Sequence, residues 1–256
     1  MRSFLSLFSL SLFSMLLPVV AAAQPWARYT RGPKGLEVGY SYCVASGQFN
    51  YRDLSFNERT LAFRDTGYSE NLRSKTGFGI SVGYYRPVVK IGEKSCLAVS
   101  GTFMYNAYLW DGNTFSYSSN SRTGTVESVG SGTIEMALPV GLDYKVGCDA
   151  IYDKVTRFCG SVGAGVYPSM GATVYKNDGS FGFHARPYVR GEVGIFAGIC
   201  FKLRVTHVLG GINYIDYSNS GPGFETSTVF KSKGTTAFSL VLMPWSWKWG
   251  KSAWWN

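Results

Sequence analysis

The sequence predicts an all-β protein: a single eight-stranded antiparallel up-and-down transmembrane β-barrel. Three observations lead there. About eight stretches place a large apolar residue at every second position, the period of a strand with two different faces. Charged residues make up only 16% of the chain, against about a quarter in soluble domains. Beyond the N-terminal segment, no apolar run is long enough for a membrane-crossing helix.

The elements follow in chain order. Residues 1–23 carry Arg2, an uncharged apolar run and then Ala21-Ala22-Ala23, the layout of a cleavable secretory signal peptide. Residues 24–245 form the predicted barrel and 246–256 a Trp-rich periplasmic tail. Export leaves the stated charge of +9 less Arg2, or +8. It also makes nucleic acid an unsuitable partner for that basic excess, which fits a solvated rim near anionic head groups instead.

The strand runs are 35–46, 76–85, 95–110, 133–147, 157–170, 188–197, 199–209 and 235–243. In 133–147, TIEMALPVGLDYKVG, the bulky set is Ile134, Met136, Leu138, Val140, Leu142 and Tyr144. Pro139 in that run cannot donate to a ladder, which predicts a bulge or a missing hydrogen bond there. Connections alternate long and short. The long ones, among them 47–75 and 210–234, are rich in Asn, Ser, Gly and Thr and read as outer loops. Short turns at one end and long loops at the other are the outer-membrane pattern.

Face assignment follows from composition. In a soluble barrel the bulky set points inward and the outer face is charged. Here the second face is mostly Gly, Ala, Ser and Thr, a poor water-facing surface but a good filling for a narrow lumen. The bulky residues therefore face lipid. Tyr40, Tyr42, Tyr84, Tyr85, Tyr105, Tyr108, Trp110 and Tyr144 lie toward strand ends and read as an aromatic girdle. Trp245, Trp247, Trp249, Trp254 and Trp255 read as membrane-interface residues at the other end, with Lys248 and Lys251 toward head groups, or equally as a tail packed on the barrel's underside.

Eight charges fall on the inward face: Glu37, Glu135, Asp143, Lys145, Arg190, Glu192, Lys202 and Arg204. Four acids and four bases in a closed lumen should pair, because an unpaired buried ion is expensive. A salt-bridge plug is the reading this favours. A narrow conduit for small solutes is the alternative.

The segment TIEMALPVGLDYKVG followed by RFCGSVGAGVYPSM resembles the paired strands of small Gram-negative outer-membrane barrels of the Bacteroidetes, PorT-like group. That resemblance implies residence in the outer membrane, lipid as surroundings and an accessory role beside other envelope or secretion proteins. It transfers no catalytic residue. Such barrels close on an aromatic at or near the C-terminus, whereas here residues 246–256 follow Trp245.

Enzymatic chemistry finds little support. His184 and His207 are the two histidines, and no motif joins either to a nucleophile. A surface-exposed enzyme is thus a rival reading without marked residues. No cofactor is implied. The five cysteines, 43, 96, 148, 159 and 200, show no metal-ligand spacing. Cys148 and Cys159 bracket a short turn, so a disulfide across that hairpin is one reading, with Cys96–Cys148 as the competitor and free buried thiols as the alternative; the odd count leaves at least one cysteine outside any intramolecular pair.

Overall fold

The computed structural model describes residues 34–57, 59, 61–110, 115–119, 122–126, 131–175 and 178–249. The signal-peptide segment and Trp254 and Trp255 lie outside them. The strands are β1 (Leu36–Asn57), β2 (Ala62–Gly92), β3 (Ser95–Trp110), β4 (Phe115–Ser119), β5 (Arg122–Val126), β6 (Ser131–Ala137) and β7 (Val140–Gly147). A short helix α1 (Cys148–Ile151) follows. Then come β8 (Phe158–Tyr175), β9 (Asp178–Ala197), β10 (Ile199–Val208), β11 (Ile212–Gly221) and β12 (Phe224–Met243). Neighbours pair antiparallel around the ring, and β12 returns to β1, so the sheet closes. β4 and β5 form a separate hairpin.

With β6–β7 and β10–β11 each counted as one interrupted strand, the ring has eight strands. Pro139 explains the first interruption. The pairs Met104↔Ala137 and Gly101↔Val140 keep one register across it, so no residue is inserted. Thr102 donates to the Pro139 carbonyl at 3.0 Å, but Pro139 has no N–H to return. The ladder loses a bond without a bulge.

The faces are inverted relative to a soluble barrel. Tyr40, Phe78, Phe103, Leu142, Leu203 and Leu240 are among the exposed apolar residues. On the inward face, Glu135, Asp143, Lys145 and Lys202 are each at most 1% exposed. Polar side chains are thus inside and apolar ones outside.

Two expectations need correction. Segments 47–75 and 210–234 are not loops: β1, β2, β11 and β12 run on through them as strands. A tilted strand crosses a membrane in about 9–11 residues, yet β1 has 22 and β2 has 31. Register shifts at Ser46/Gly47, at Ser74/Thr76 and between Tyr42 and Ser46 mark where the four-stranded wing leaves the barrel. Bulges add twist and bend a strand. The wing carries many polar cross-strand contacts, such as Arg52–Asp65 and Lys233 donating to Asn71 at 2.7 Å, beside exposed aromatics such as Phe63 and Tyr217. Cross-strand polar pairs sustain a sheet without an apolar period, so this region looked like loop in the sequence.

The girdle also needs correction. Tyr40, Tyr84 and Tyr144 are exposed, as is Trp247, and Trp245 is half-buried. Trp110, Tyr85 and Tyr108 are buried. Strand alternation decides this: Trp110 shares parity with Asn106, which points inward, and its Nε1 donates to Thr133 Oγ1 at 2.8 Å. Trp249 is 1% exposed. The turn Ser246–Lys248 swings its ring beneath the barrel, where it stacks on Phe196 at 5.7 Å.

Candidate functional site

The lumen is the site that the fold builds. All eight inward charges named from the sequence are buried, and each is ion-paired. At its centre is Glu192 on β9. Glu192 Oε1 accepts from Arg204 Nε at 2.6 Å and lies 3.5 Å from Arg190 Nε. Its Oε2 lies 3.4 Å from Lys145 Nζ and 3.5 Å from Lys202 Nζ. Glu37 from β1 reaches Lys202 at 2.7 Å and also pairs with Arg204. Asp143 pairs with Arg190, whose Nη2 also donates to Ser100 Oγ at 2.6 Å.

Two members were missed in the sequence. Asp149 follows the predicted strand and sits in α1, 3.2 Å from Lys145 Nζ and 2.7 Å from Lys202 Nζ. Gly147, with φ +89°, turns the chain inward there, a conformation that costs other residues energy. Tyr85 then ties the turn to β2 by donating to the Asp149 carbonyl at 2.8 Å. Its ring also lies 4.1 Å from Lys145 Nζ. Arg186 is the second: its Nη2 donates to Glu135 Oε1 at 2.6 Å. It shares the parity of Tyr188 and Arg190, so the alternation on β9 extended by one step would have found it.

The layers stack along the barrel axis. Trp249, Phe196 and Tyr152 close the underside. Around Glu192 four acids meet four bases, which leaves that cluster neutral. Glu135 and Arg186 lie with Tyr108 and Tyr167, whose hydroxyls donate to Glu135 at 3.3 and 3.4 Å. Trp110, Tyr214 and Phe230 form an aromatic layer. Between Tyr188, Arg190 and Arg204 a cavity of about 10 Å³ remains, roughly the room of one water. Tyr188 Oη has no protein partner and is a natural contact for such a water.

Away from the barrel wall, two electrostatic features stand out. Arg52 donates to Asp65 at 2.6 Å, and this bond holds the Asp65 carboxyl below its usual range. Cys148, in the underside turn, is pushed up to about 12, first by its hydrogen bonding with Cys159.

The structure does not bring His184 and His207 together as a site. His184 is on β9, paired in register with Ser169 on β8. His207 is on β10 and its Nδ1 lies 2.9 Å from Thr236 Oγ1. Cys148 and Cys159 do approach, and Cys200 joins them, all three sulfurs lying within 4.8 Å of one another.

The sequence matches no protein-family model and no curated protein. Among solved structures, the outer membrane protease OmpT from Escherichia coli aligns over 82% of this chain and 97% of its own, at 9% identity and TM-score 0.35. Ail, the attachment invasion locus protein of Yersinia pestis, aligns over 80% and 99%, at 7% identity and TM-score 0.27. A Pseudomonas aeruginosa FadL homologue aligns over 81% and 90%, at 5% identity and TM-score 0.23. These are loose likenesses of strand architecture.

Proposed function

We propose that this chain is an integral outer-membrane protein whose plugged barrel serves as a rigid, non-conducting scaffold for contacts with other envelope or secretion components. The observation that carries the reading is the inverted barrel: apolar side chains outside, and a charge-neutral, ion-paired filling inside. Lipid satisfies the outer face, where bulk water would not. The filling leaves no path for a solute, since the ion-paired layer is capped below by Trp249 and above by Trp110 and Phe230.

The wing of β1, β2, β11 and β12 is then the contact surface. Its exposed polar ladder of Arg52, Asp65, Gln48 and Ser69 suits a hydrophilic protein face rather than lipid. Planar-bilayer recording on the purified protein tests the scaffold reading. A silent bilayer is the expected result; stable open channels would favour the solute conduit. Loss of a measured activity on His184→Ala or His207→Ala would favour the surface enzyme.

A further inference from the structure

Three cysteines from three separate elements meet beneath the ionic cluster. Cys148 opens α1, Cys159 is near the start of β8 and Cys200 near the start of β10. They are 0%, 9% and 0% exposed. Cys159 Sγ and Cys200 Sγ lie 3.9 Å apart, and all three sulfurs fall within 4.8 Å of one another.

This spacing has a chemical meaning. A metal–thiolate bond of about 2.3 Å places neighbouring sulfurs about 3.8 Å apart in a tetrahedral site and about 4.0 Å apart in a trigonal one. The observed 3.9 Å separation lies between those values. A disulfide fits the same pair poorly. Cys159 and Cys200 are on strands separated by β9, where Cys159 pairs with Gly194 and Gly194 with Lys202. Two strand spacings alone hold the two backbones about 9 Å apart, and Cys200 sits two residues along β10 from the Lys202 register position, so the pair lies beyond the ~7 Å that a disulfide spans without backbone movement.

Gly194 is what lets the two thiols meet across β9. A Cβ there would lie 2.7 Å from Cys159 Sγ and 2.9 Å from the Lys202 side chain. The gap between the strands is kept open for sulfur. Cys148 and Cys159 are closer in backbone terms, since Gly147 pairs with Cys159. A bridge between them is the competing fate, and it would use two thiols and strand the third.

We propose that Cys148, Cys159 and Cys200 form a binding site for one thiophilic d10 cation, Zn²⁺ or Cu⁺. The all-sulfur donor set selects soft or borderline metals over Mg²⁺ and Ca²⁺. Binding replaces protons: Zn²⁺ and three thiols give a Zn–tristhiolate of charge −1 and three released protons. Lys202, two residues along the inward face from Cys200, is a cation beside that charge, shared with Glu37, Asp149 and Glu192. Met243, which pairs with Cys200 and is fully buried in the same cluster, offers a thioether where a fourth donor is needed. Spacing in the sequence gave no hint of this, because the side-by-side placement of β8, β9 and β10 rather than a local motif assembles the donors.

The test uses the full-length protein, reduced without oxygen and folded in detergent micelles. It is titrated separately with Zn²⁺ and Cu⁺ against a competing chelator, with Co²⁺ as an optical probe of thiolate ligation. Expected are about one ion per chain, sulfur-to-cobalt charge-transfer absorption and at least tenfold weaker binding for Cys159→Ser and Cys200→Ser. Cys43→Ser, elsewhere in the lumen, should bind as the parent does. Heat-modifiable migration of each variant separates loss of the site from loss of the fold. Absence of stoichiometric binding by both cations to the folded parent overturns the proposal, as does equal binding by a folded Cys159→Ser, Cys200→Ser double variant.

Discussion

Replacing Glu192 by glutamine removes one negative charge from the middle of the lumen and changes little else in shape. In the parent, Arg190, Lys145, Lys202 and Arg204 are balanced by Glu37, Asp143, Asp149 and Glu192. The variant leaves four bases facing three acids, all within a few per cent of full burial. Breaking a buried ion pair by deleting one partner costs about 3–5 kcal/mol. At about 1.4 kcal/mol per tenfold change, the folded-to-unfolded ratio should fall about a thousandfold. Equilibrium urea unfolding from phospholipid vesicles, followed by tryptophan fluorescence, measures this directly. The double variant Glu192→Gln, Arg204→Gln restores neutrality and should lose less than the two single losses added together. A single-variant loss below about 1 kcal/mol, the range of exposed pairs, would mean that water reaches and screens the cluster. The plug would then be refuted.

Trp249→Ala should cost about 3–5 kcal/mol in the same unfolding assay by emptying the underside, while Trp247→Ala, exposed at 55%, should cost little. Gly163→Val should sharply reduce the yield of folded barrel on a heat-shift gel, because its Cβ would collide with the Asp143 carboxylate. Gly171→Ala, whose Cβ meets only the Ile134 carbonyl at 3.4 Å, should fold normally. Asp65 should titrate below an ordinary aspartate by NMR, and Arg52→Ala should return it to the usual range. The sign is that of a depressed carboxyl: its contribution is present above the unfolded-state value and lost as pH falls through the folded one.

How much the sequence disclosed depended on whether one strand's alternation carried the information. Glu37, Glu135, Asp143 and Lys202 were legible because parity along a strand assigns a face without knowledge of neighbours. Trp110 was misread although the same parity placed it inside, since its position near a strand end invited a girdle reading. Trp249 lay beyond the last strand, where no period applies. Asp149 was hidden for a similar reason: it enters the lumen through a turn at Gly147. Above Ser46 the wing mixes polar residues with scattered apolar ones such as Phe49, Phe63 and Phe230, so its strands show no sustained apolar period to read. The three-cysteine cluster depends on β8, β9 and β10 lying side by side, a fact of topology rather than of local sequence.

The central claim is that apolar residues such as Phe78, Leu142 and Leu240 face lipid around a closed, filled barrel. Cell fractionation combined with electrophoresis of unheated and heated samples addresses it most directly. The account predicts protein in the outer-membrane fraction, with the unheated form migrating faster as a compact barrel. Recovery as a soluble periplasmic protein, with identical migration before and after heating, would contradict it.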